Sequence, residues 1–224
     1  MAKVVIVGAG KIADEAYYYL TNDSEHEVVA FAVDRDFLGA GEKLGLPVVA
    51  FEDVEESYPP AGFSMFVAIG YQDLNRLRAG KYEAAKAKGY TLVSYVSSKA
   101  ANMGDVEIGD NCLILEFVSV QPMTRIGNNV FLWPGVTVGH HSSIDDHCYL
   151  TAGAIVAGNS RIEKRCFVGV HASIGHEIVV GEGSFLGAAV VVTKDVEPGS
   201  VHIAPDTPKF RLDAEMFLRL TKMK

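Results

Sequence analysis

The amino-acid sequence predicts a Rossmann-like α/β module, then a left-handed parallel β-helix of about five coils, and last a short C-terminal helix. Two observations predict this order. Strand-like apolar runs alternate with helical spacing as far as Val96, and from Ile108 to Val192 every sixth residue is aliphatic. Alternating strands and helices are typical of a parallel α/β sheet, whereas a fixed short period indicates a solenoid. We therefore divide the chain into residues 1–100, 101–197 and 198–224.

The first part of the chain contains four strand-like runs and two runs with helical spacing. The strands are expected at residues 4–7, 28–33, 65–69 and 92–96, and the helices at residues 11–20 and 73–88. Apolar residues at period two or in short continuous runs favour strands, and a period near 3.6 favours a helix. This module is therefore expected to be a small parallel sheet with helices on its faces.

The six-residue repeat predicts the second part of the fold. A column two residues before the aliphatic one holds mostly small side chains, among them Cys112, Cys148 and Cys166, which we interpret as packing residues. Six residues per face and three faces per coil give a triangular prism of 18 residues per coil, with coils about 4.8 Å apart. Glycine often follows the aliphatic residue directly, as at Gly139 and Gly169, and we attribute this to tight corners. A short amphipathic helix is expected at residues 212–223.

Composition excludes several classes of partner. The net charge is −8 and the sequence pI is near 5.3, which disfavours nucleic acids and anionic membranes. No apolar stretch approaches the ~20 residues of a membrane span, and the apolar N-terminus ends in a glycine turn, as expected for a strand. Three cysteines without CxxC spacing predict a reducing compartment, so the cytoplasm is expected.

The aliphatic column and its glycines resemble the hexapeptide acyltransferase superfamily over about residues 104–196. With the α/β module ahead of it, the chain resembles the sialic acid O-acetyltransferase-like and bacillosamine-pathway N-acetyltransferase-like family of nucleotide-sugar acyltransferases. The resemblance implies acetyl-CoA as co-substrate and a nucleotide-linked amino sugar as acceptor. It also implies a homotrimer with active sites between neighbouring prisms.

Acetyl transfer needs a base, and a histidine titrates in the useful range. Within Val138-Gly-His-His-Ser-Ser-Ile, His140 matches the catalytic position of the family. The family commonly has an acidic residue at the next position, where this chain has His141. Asp145 or Asp146 is therefore the candidate partner that orients His140.

The cofactor is expected along one edge of the prism. Stacking at 18 residues per coil aligns His140, Gly158 and His176, with room for a slim ligand arm at the glycine. The resemblance implies that the thioester lies there, polarised by backbone amides, and that cations near the end of the prism hold the CoA phosphates. The residues expected to contact CoA are Gly158, His176, Gly187, Ala188, Lys194, Lys209 and Arg211.

The α/β module carries a glycine-rich turn between its first strand and first helix. Gly8-Ala-Gly-Lys-Ile-Ala fits G-x-G-x-x-[G/A], and Asp34 follows the next strand. Alone, this pattern favours NAD, so an NAD-dependent oxidoreductase is one alternative. The resemblance implies instead that the module binds the nucleotide of the sugar. The residues expected there are Gly8, Gly10, Lys11, Asp34, Arg35, Gly70 and Tyr71.

The leading hypothesis is N-acetylation of a nucleotide-linked deoxyamino sugar with His140 as general base. O-acetylation of a sugar or sialic acid hydroxyl is an alternative, as is a non-catalytic nucleotide-binding or scaffolding protein. γ-Class carbonic anhydrases use the same prism with three histidine ligands to zinc. His171 and His176 have a suitable gap, but the third ligand position is Gly135, so no metal is expected.

Overall fold

The computed structural model describes residues 1–39, 41–101 and 106–221. The α/β module contains β1 (Lys3–Val7), α1 (Lys11–Asn22), β2 (Glu27–Val33), β3 (Glu42–Lys43), β4 (Leu46–Ala50), α2 (Val54–Ser57), β5 (Ser64–Val67) and α3 (Arg76–Ala87), with 3₁₀ turns at Arg35–Phe37 and Phe51–Asp53. Its sheet has the order β3-β4-β2-β1-β5 and is parallel except for the β3–β4 pair. The expected strands at β1, β2 and β5 are confirmed, whereas β3 and β4 were not predicted.

The strand expected at residues 92–96 belongs to the β-helix and not to the α/β sheet. Only Leu92 forms a bridge with the sheet, at Met65. The strand β6 (Tyr95–Val96) pairs with Leu113 and Ile114 of the prism. This part of the prediction is wrong because an apolar run has the same pattern whichever sheet it joins.

The second part of the chain is a three-sided, left-handed parallel β-helix of five coils, as predicted. Its strands β7 to β21 are two residues long, and each ends on an aliphatic residue of the repeat. They are Glu107–Ile108, Leu113–Ile114, Ser119–Val120, Arg125–Ile126, Phe131–Leu132, Thr137–Val138, Ser143–Ile144, Tyr149–Leu150, Ile155–Val156, Arg161–Ile162, Phe167–Val168, Ser173–Ile174, Val179–Val180, Phe185–Leu186 and Val191–Val192. Both inward columns form the buried core, including all three cysteines.

Every strand pairs with the strand 18 residues away, which gives three flat faces. Face 1 holds β7, β10, β13, β16 and β19. Face 2 holds β6, β8, β11, β14, β17, β20 and β22 (Val201–His202), and face 3 holds β9, β12, β15, β18 and β21. Residues 102–105, where the prism was expected to begin, lie outside the described residues.

The glycines after the aliphatic positions have a different cause from the one expected. The left-handed conformation occurs two residues further on, mostly at non-glycine residues such as Phe117 and Asn159. A Cβ on Gly139 would lie 2.4 Å from the backbone nitrogen of Gly158, and one on Gly169 would lie 2.4 Å from the carbonyl carbon of Gly187. These glycines are needed because the next coil passes close by. The corner explanation is therefore wrong.

The α/β module packs against face 2. Val4, Ile6 and α1 share one buried cluster with the outward aromatic column of that face, and the rings of Phe66 and Phe131 stack at 6.0 Å. The other side of the sheet is covered by α2 and α3. Face 2 is thus buried under the module, while the edge opposite face 2 is left uncovered by it.

The C-terminal segment ends in α4 (Ala214–Thr221), shorter than expected, and Met223 lies outside the described residues. None of the residues of α4 is buried. No helix in the described ranges is long and apolar enough to cross a membrane. The division at residues 100 and 197 stays a prediction.

Candidate active site

A pair of histidines lies on the edge between faces 3 and 1, which is the edge opposite face 2. His140 and His141 are both exposed, and their Nδ1 atoms are 3.0 Å apart with ring planes at 86°. The backbone N–H of His140 donates to Oε1 of Gln121 at 3.0 Å. His141 has φ 57°, so the turn itself directs the two side chains toward each other.

The glycine in the next coil holds the imidazole of His140. A Cβ on Gly158 would lie 2.9 Å from both Cε1 and Nε2 of His140. The space that the sequence assigned to a ligand arm is thus occupied by the histidine ring. His176 follows one coil later, as predicted, with its Nε2 3.4 Å from Nδ2 of Asn159 and 3.4 Å from Oε1 of Glu177.

The carboxylates proposed to orient His140 have other partners, so this prediction is wrong. Asp145 is buried and accepts hydrogen bonds from Arg125 at 2.9 Å and Arg161 at 2.7 Å. Asp146 accepts hydrogen bonds from Asn128, whose backbone nitrogen is 2.8 Å away. Both aspartates follow the face 1 strands, beyond the edge that carries His140.

The residues expected to bind CoA do not share one edge. Gly158, His176 and Lys194 occupy one column of the edge between faces 3 and 1. Gly187 and Ala188 lie on the edge between faces 2 and 3, directly beneath Gly169. The prediction of a single edge is wrong, because two positions that differ by 29 residues fall on different corners of an 18-residue coil.

Three cations expected at the CoA phosphates lie at the end of the prism and beyond it. Lys194 follows β21, whereas Lys209 and Arg211 lie between β22 and α4. All three are exposed, and within the described ranges none of them pairs with a carboxylate. Their charge is therefore free to meet an anion.

The glycine turn lines a crevice at the carboxyl ends of β1 and β5, where the order of the parallel strands reverses. Gly8 has φ 121°, and a Cβ there would lie 2.7 Å from the carbonyl oxygen of Ala68. Gly10 precedes α1, whose first turn is not capped by a side chain. Two cavities of about 460 and 550 Å³ share the Gly8–Gly10 loop, Phe37 and Ile69. Crevices at such a switch point bind nucleotides, and a free helix N-terminus accepts phosphate.

Two charged residues predicted for this crevice have different surroundings. Asp34 lines it and forms an ion pair with Lys81 of α3, whose Nζ lies 4.7 Å from the ring centroid of Phe51. Arg35 turns away to pair with Asp53, and it does not line either cavity. The assignment of Arg35 to the nucleotide site is therefore not supported by its contacts.

Gly70 and Tyr71 also separate. Gly70 and Lys11 line the larger cavity beside Gln72. The Tyr71 ring lies against Phe167 at 4.6 Å and Tyr149 at 5.3 Å, so it joins the module to face 2 instead of lining the crevice.

Sequence reasoning missed three residues of the crevice. Phe37 is 77% exposed and borders both cavities, and Leu77 and Lys81 reach the smaller one from α3. The spacing of Leu77 and Lys81 by four residues places them on one helix face. An aromatic residue directly after Asp34-Arg35-Asp36 is the pattern that could have indicated Phe37.

A buried arginine joins α3 to the prism. Arg78 is fully buried, and its Nη2 donates to the carbonyl oxygens of Asn129, His147 and Cys148 at 3.3, 2.8 and 3.1 Å. Its guanidinium lies 4.4 Å from the ring centroid of Phe131. Burial lowers the pKa of Arg78 to about 10, which still leaves it cationic at neutral pH.

A ladder of polar side chains continues this junction. Asn111 bonds both backbone groups of Val67 at the sheet edge and donates to Asn129 at 2.8 Å, and Asn129 meets Nδ1 of His147 at 2.9 Å. Burial lowers the pKa of His147 to about 4, so this histidine is neutral at pH 7. The ladder thus fixes the crevice-bearing sheet relative to the coils.

No cluster of side chains able to hold a metal occurs among the described residues. The cysteines are buried, and burial raises the pKa of the Cys112 thiol to about 12. Such a thiol is a poor nucleophile.

Comparison with protein families gives two matches within the prism. A family model described as bacterial transferase hexapeptide (six repeats) matches residues 123–158, and one described as hexapeptide repeat of succinyl-transferase matches residues 160–194. A search of curated proteins found no match.

Several solved structures resemble the whole chain. The acetyltransferase domain of PglB from Neisseria gonorrhoeae FA1090 is 27% identical with a TM-score of 0.78, and the alignment covers 90% of this chain and 96% of that domain. A variant of perosamine N-acetyltransferase from Caulobacter crescentus, in complex with CoA and GDP-perosamine, is 25% identical with a TM-score of 0.79 over 91% and 94% of the two chains. WeeI from Acinetobacter baumannii AYE, at 23% identity, a TM-score of 0.74 and coverage of 90% and 96%, shares the fold.

Proposed function

We propose that this chain, a hexapeptide-repeat acyl-CoA-dependent acetyltransferase of the type that acts on nucleotide-linked sugars, N-acetylates a nucleotide-linked deoxyamino sugar with His140 as general base. The observation that carries the proposal is the exposed imidazole on a prism edge, held over Gly158 and free of any carboxylate partner within the described residues. The Caulobacter relative, crystallised with CoA and GDP-perosamine, supports the pairing of these two substrates.

In this mechanism the amine lone pair attacks the thioester carbonyl carbon, and the carbonyl π electrons move to oxygen. The nitrogen then loses a proton to Nε2 of His140. Collapse of the tetrahedral intermediate breaks the C–S bond, and CoA leaves as a thiolate that takes the proton from the imidazolium. Holding both substrates on one rigid edge removes much of the entropic barrier.

We propose that the nucleotide lies in the crevice of the α/β module. The apolar wall formed by Val33, Phe37 and Leu77 suits a base, and the Gly8–Gly10 loop at the start of α1 suits the pyrophosphate. The larger cavity, beside Lys11 and Gly70, would then receive the sugar. Asp34 remains the candidate for the ribose hydroxyls, with its charge balanced by Lys81.

We further propose that the active site lies between copies of the chain. The module covers face 2, whereas His140 lies on the opposite edge, so the crevice and the base of one chain face different directions. Gly187 and Ala188 also lie on a different edge from His140. A contact that joins one edge of a chain to another surface of the next is heterologous and closes as a ring, and a homotrimer suits a three-sided prism.

The proposal is tested by mass spectrometry of products after incubation with acetyl-CoA and a panel of UDP-, GDP- and dTDP-linked amino sugars. The expected result is a product heavier by one acetyl group, lost in His140→Ala. Calorimetry with the same nucleotides and with NADH separates the oxidoreductase alternative, because tight binding of NADH in place of the nucleotides contradicts the proposal. Absence of any acetylated product would favour the non-catalytic alternative.

Subunit mixing tests the shared site. His140→Ala keeps an intact crevice, and Leu77→Trp keeps the histidine but blocks the crevice. If each site joins the crevice of one chain to the histidine of another, a random mixture of the two inactive variants regains about a quarter of wild-type activity. If both halves come from one chain, the mixture stays inactive. Light scattering measures the oligomeric state independently.

We also propose a cytoplasmic location, supported by the three free, buried cysteines.

A further inference from the structure

We infer that His141 is the positioning residue for His140, and that the two imidazoles act as a pair that carries one shared proton on its facing nitrogens, which suits the site to an amine acceptor and not to a hydroxyl. The inference rests on the proposed function for its chemistry. Its geometry rests on the contact between the two Nδ1 atoms at 3.0 Å.

The distance between the Nδ1 atoms restricts the tautomers. A hydrogen bond at this separation needs one nitrogen to donate and the other to accept. If Nε2 of His140 is to receive a proton, its Nδ1 must carry the hydrogen and donate it to Nδ1 of His141. His141 then keeps its own hydrogen on Nε2. The neighbour therefore selects the tautomer in which His140 can act as a base.

No closer group competes for this role. The backbone N–H of His140 is bound by Gln121, and Gly158 contacts its ring without offering a side chain. The titratable groups along this edge are His176 and Glu177, two coils or about 9.6 Å further on, and then Lys194 and Asp195. In the described part of the chain, His141 alone meets a nitrogen of the His140 ring.

The neutral partner has a consequence for the acceptor. A carboxylate behind the base would stabilise the imidazolium by its charge, whereas an imidazole offers only a lone pair. A hydroxyl must lose its proton during attack and therefore needs a strong base. An amine attacks as a neutral nucleophile, and the nitrogen is strongly acidic only afterwards. The pair is sufficient for the amine.

Protonation of the pair also has a limit. One proton on Nε2 of His140 leaves the Nδ1 contact intact and blocks the base. A second proton, on Nδ1 of His141, would set two N–H groups against each other and break the contact. The rate should therefore fall as the pH falls, because the pair takes up the first proton.

The prism itself indicates which substitutions the turn at His141 accepts. The same position of the repeat holds Phe117 with φ 61°, Asn159 with φ 57° and Glu177 with φ 58°. His141→Phe keeps a ring without an acceptor, His141→Asn keeps an uncharged acceptor, and His141→Glu adds a charge. Each of the three side chains therefore occurs at this backbone conformation elsewhere in the fold.

The first experiment compares kcat, KM and pH profiles of these variants on a nucleotide-linked amino sugar and on its hydroxy analogue. His141→Phe should lower kcat about 10- to 100-fold, with KM for acetyl-CoA within about twofold of wild type. His141→Asn should stay within about fivefold of wild type. His141→Glu should move the acid limb of the profile to higher pH by about one unit and raise the ratio of O- to N-transfer about tenfold. His26→Gln, which removes an imidazole from the other module, serves as the control.

The second experiment has a readout that does not depend on turnover. ¹⁵N NMR of histidine-labelled protein, assigned with the same variants, reports which nitrogen carries hydrogen. The expected result is His140 protonated on Nδ1 in wild type and a mixture of tautomers in His141→Phe. An active wild type in which His141→Phe keeps the wild-type rate and pH profile, or in which His140 carries hydrogen on Nε2, overturns the inference. A wild type inactive on every acceptor overturns the proposed function instead.

Discussion

Substituting Gly158 by alanine should separate activity from stability. The new Cβ would lie 2.9 Å from Cε1 and Nε2 of His140, about 0.6 Å short of the roughly 3.5 Å at which nonbonded carbons pack. The φ of Gly158 is outside the left-handed region, so alanine fits the backbone itself. The atoms it meets belong to the exposed tip of a side chain, and the ring of His140 must therefore move.

The two effects have different sizes. Displacing the ring costs about 0.5–1.5 kcal/mol, and the reduced entropy of the unfolded chain offsets about 0.4–1 kcal/mol of this. A base displaced by even part of an ångström should lower kcat about 10- to 100-fold. We expect the free energy of unfolding to change by less than about 1.5 kcal/mol while the rate falls by one to two orders of magnitude.

Gly139→Ala is the matched comparison. Its Cβ would lie 2.4 Å from the backbone nitrogen of Gly158, which cannot move without shifting a coil. We expect this variant to lose about 3 kcal/mol of unfolding free energy. Urea unfolding measures stability, and steady-state kinetics with a nucleotide-linked amino sugar measures activity.

A double variant supplies the refutation. In a His140→Ala background the clash is gone, so adding Gly158→Ala should be neutral or stabilising by up to about 1 kcal/mol. The reasoning is refuted if Gly158→Ala keeps the wild-type kcat. It is equally refuted if the cost in stability is the same with and without the His140 ring.

Three further predictions concern the module and its junction with the prism. Arg78→Met should lower the unfolding free energy by about 2–4 kcal/mol in urea titrations, because three buried carbonyl oxygens lose their donor, whereas a wild-type value would contradict the assigned role. The pKa of His147 is about 4 when folded and 6.5 when unfolded, so the unfolded chain binds the proton first. Stability should therefore be complete above pH 6.5 and decline as the pH falls toward 4, and His147→Asn should reduce this decline in urea midpoints measured across that range. Gly8→Ala, strained at φ 121° and 2.7 Å from the carbonyl oxygen of Ala68, should abolish nucleotide binding in calorimetry while leaving the prism folded; unchanged affinity would exclude the glycine loop as the phosphate site.

The β-helix could be predicted closely because its rules are local. Each inward position repeats at a short interval, so the aliphatic column from Ile108 to Val192 determines coil size, face assignment and core in one step. The reason for the glycines could not be predicted in the same way. Whether Gly139 needs a positive φ or a close neighbour depends on the backbone of the next coil.

The site could be predicted in part. His140, the Gly8 loop and Asp34 lie where their motifs indicated, because each motif is a short segment with its own backbone geometry. Asp146 was wrong as an orienting partner because nearness in sequence does not make two turns of a coil adjacent. Gly187 was wrong as a neighbour of Gly158 for the same reason.

The sequence by itself determined the order of the two folds, the number of coils, the candidate base and the glycine turn, since each of these depends on periodicity or on a few consecutive residues. Only the tertiary structure decided which sheet Tyr95 joins, which edge faces away from the α/β module, and that His141 meets the ring of His140. Those features depend on how the coils stack and where the module packs on them. They arise from contacts between residues far apart in the chain, and no local pattern of residues encodes them.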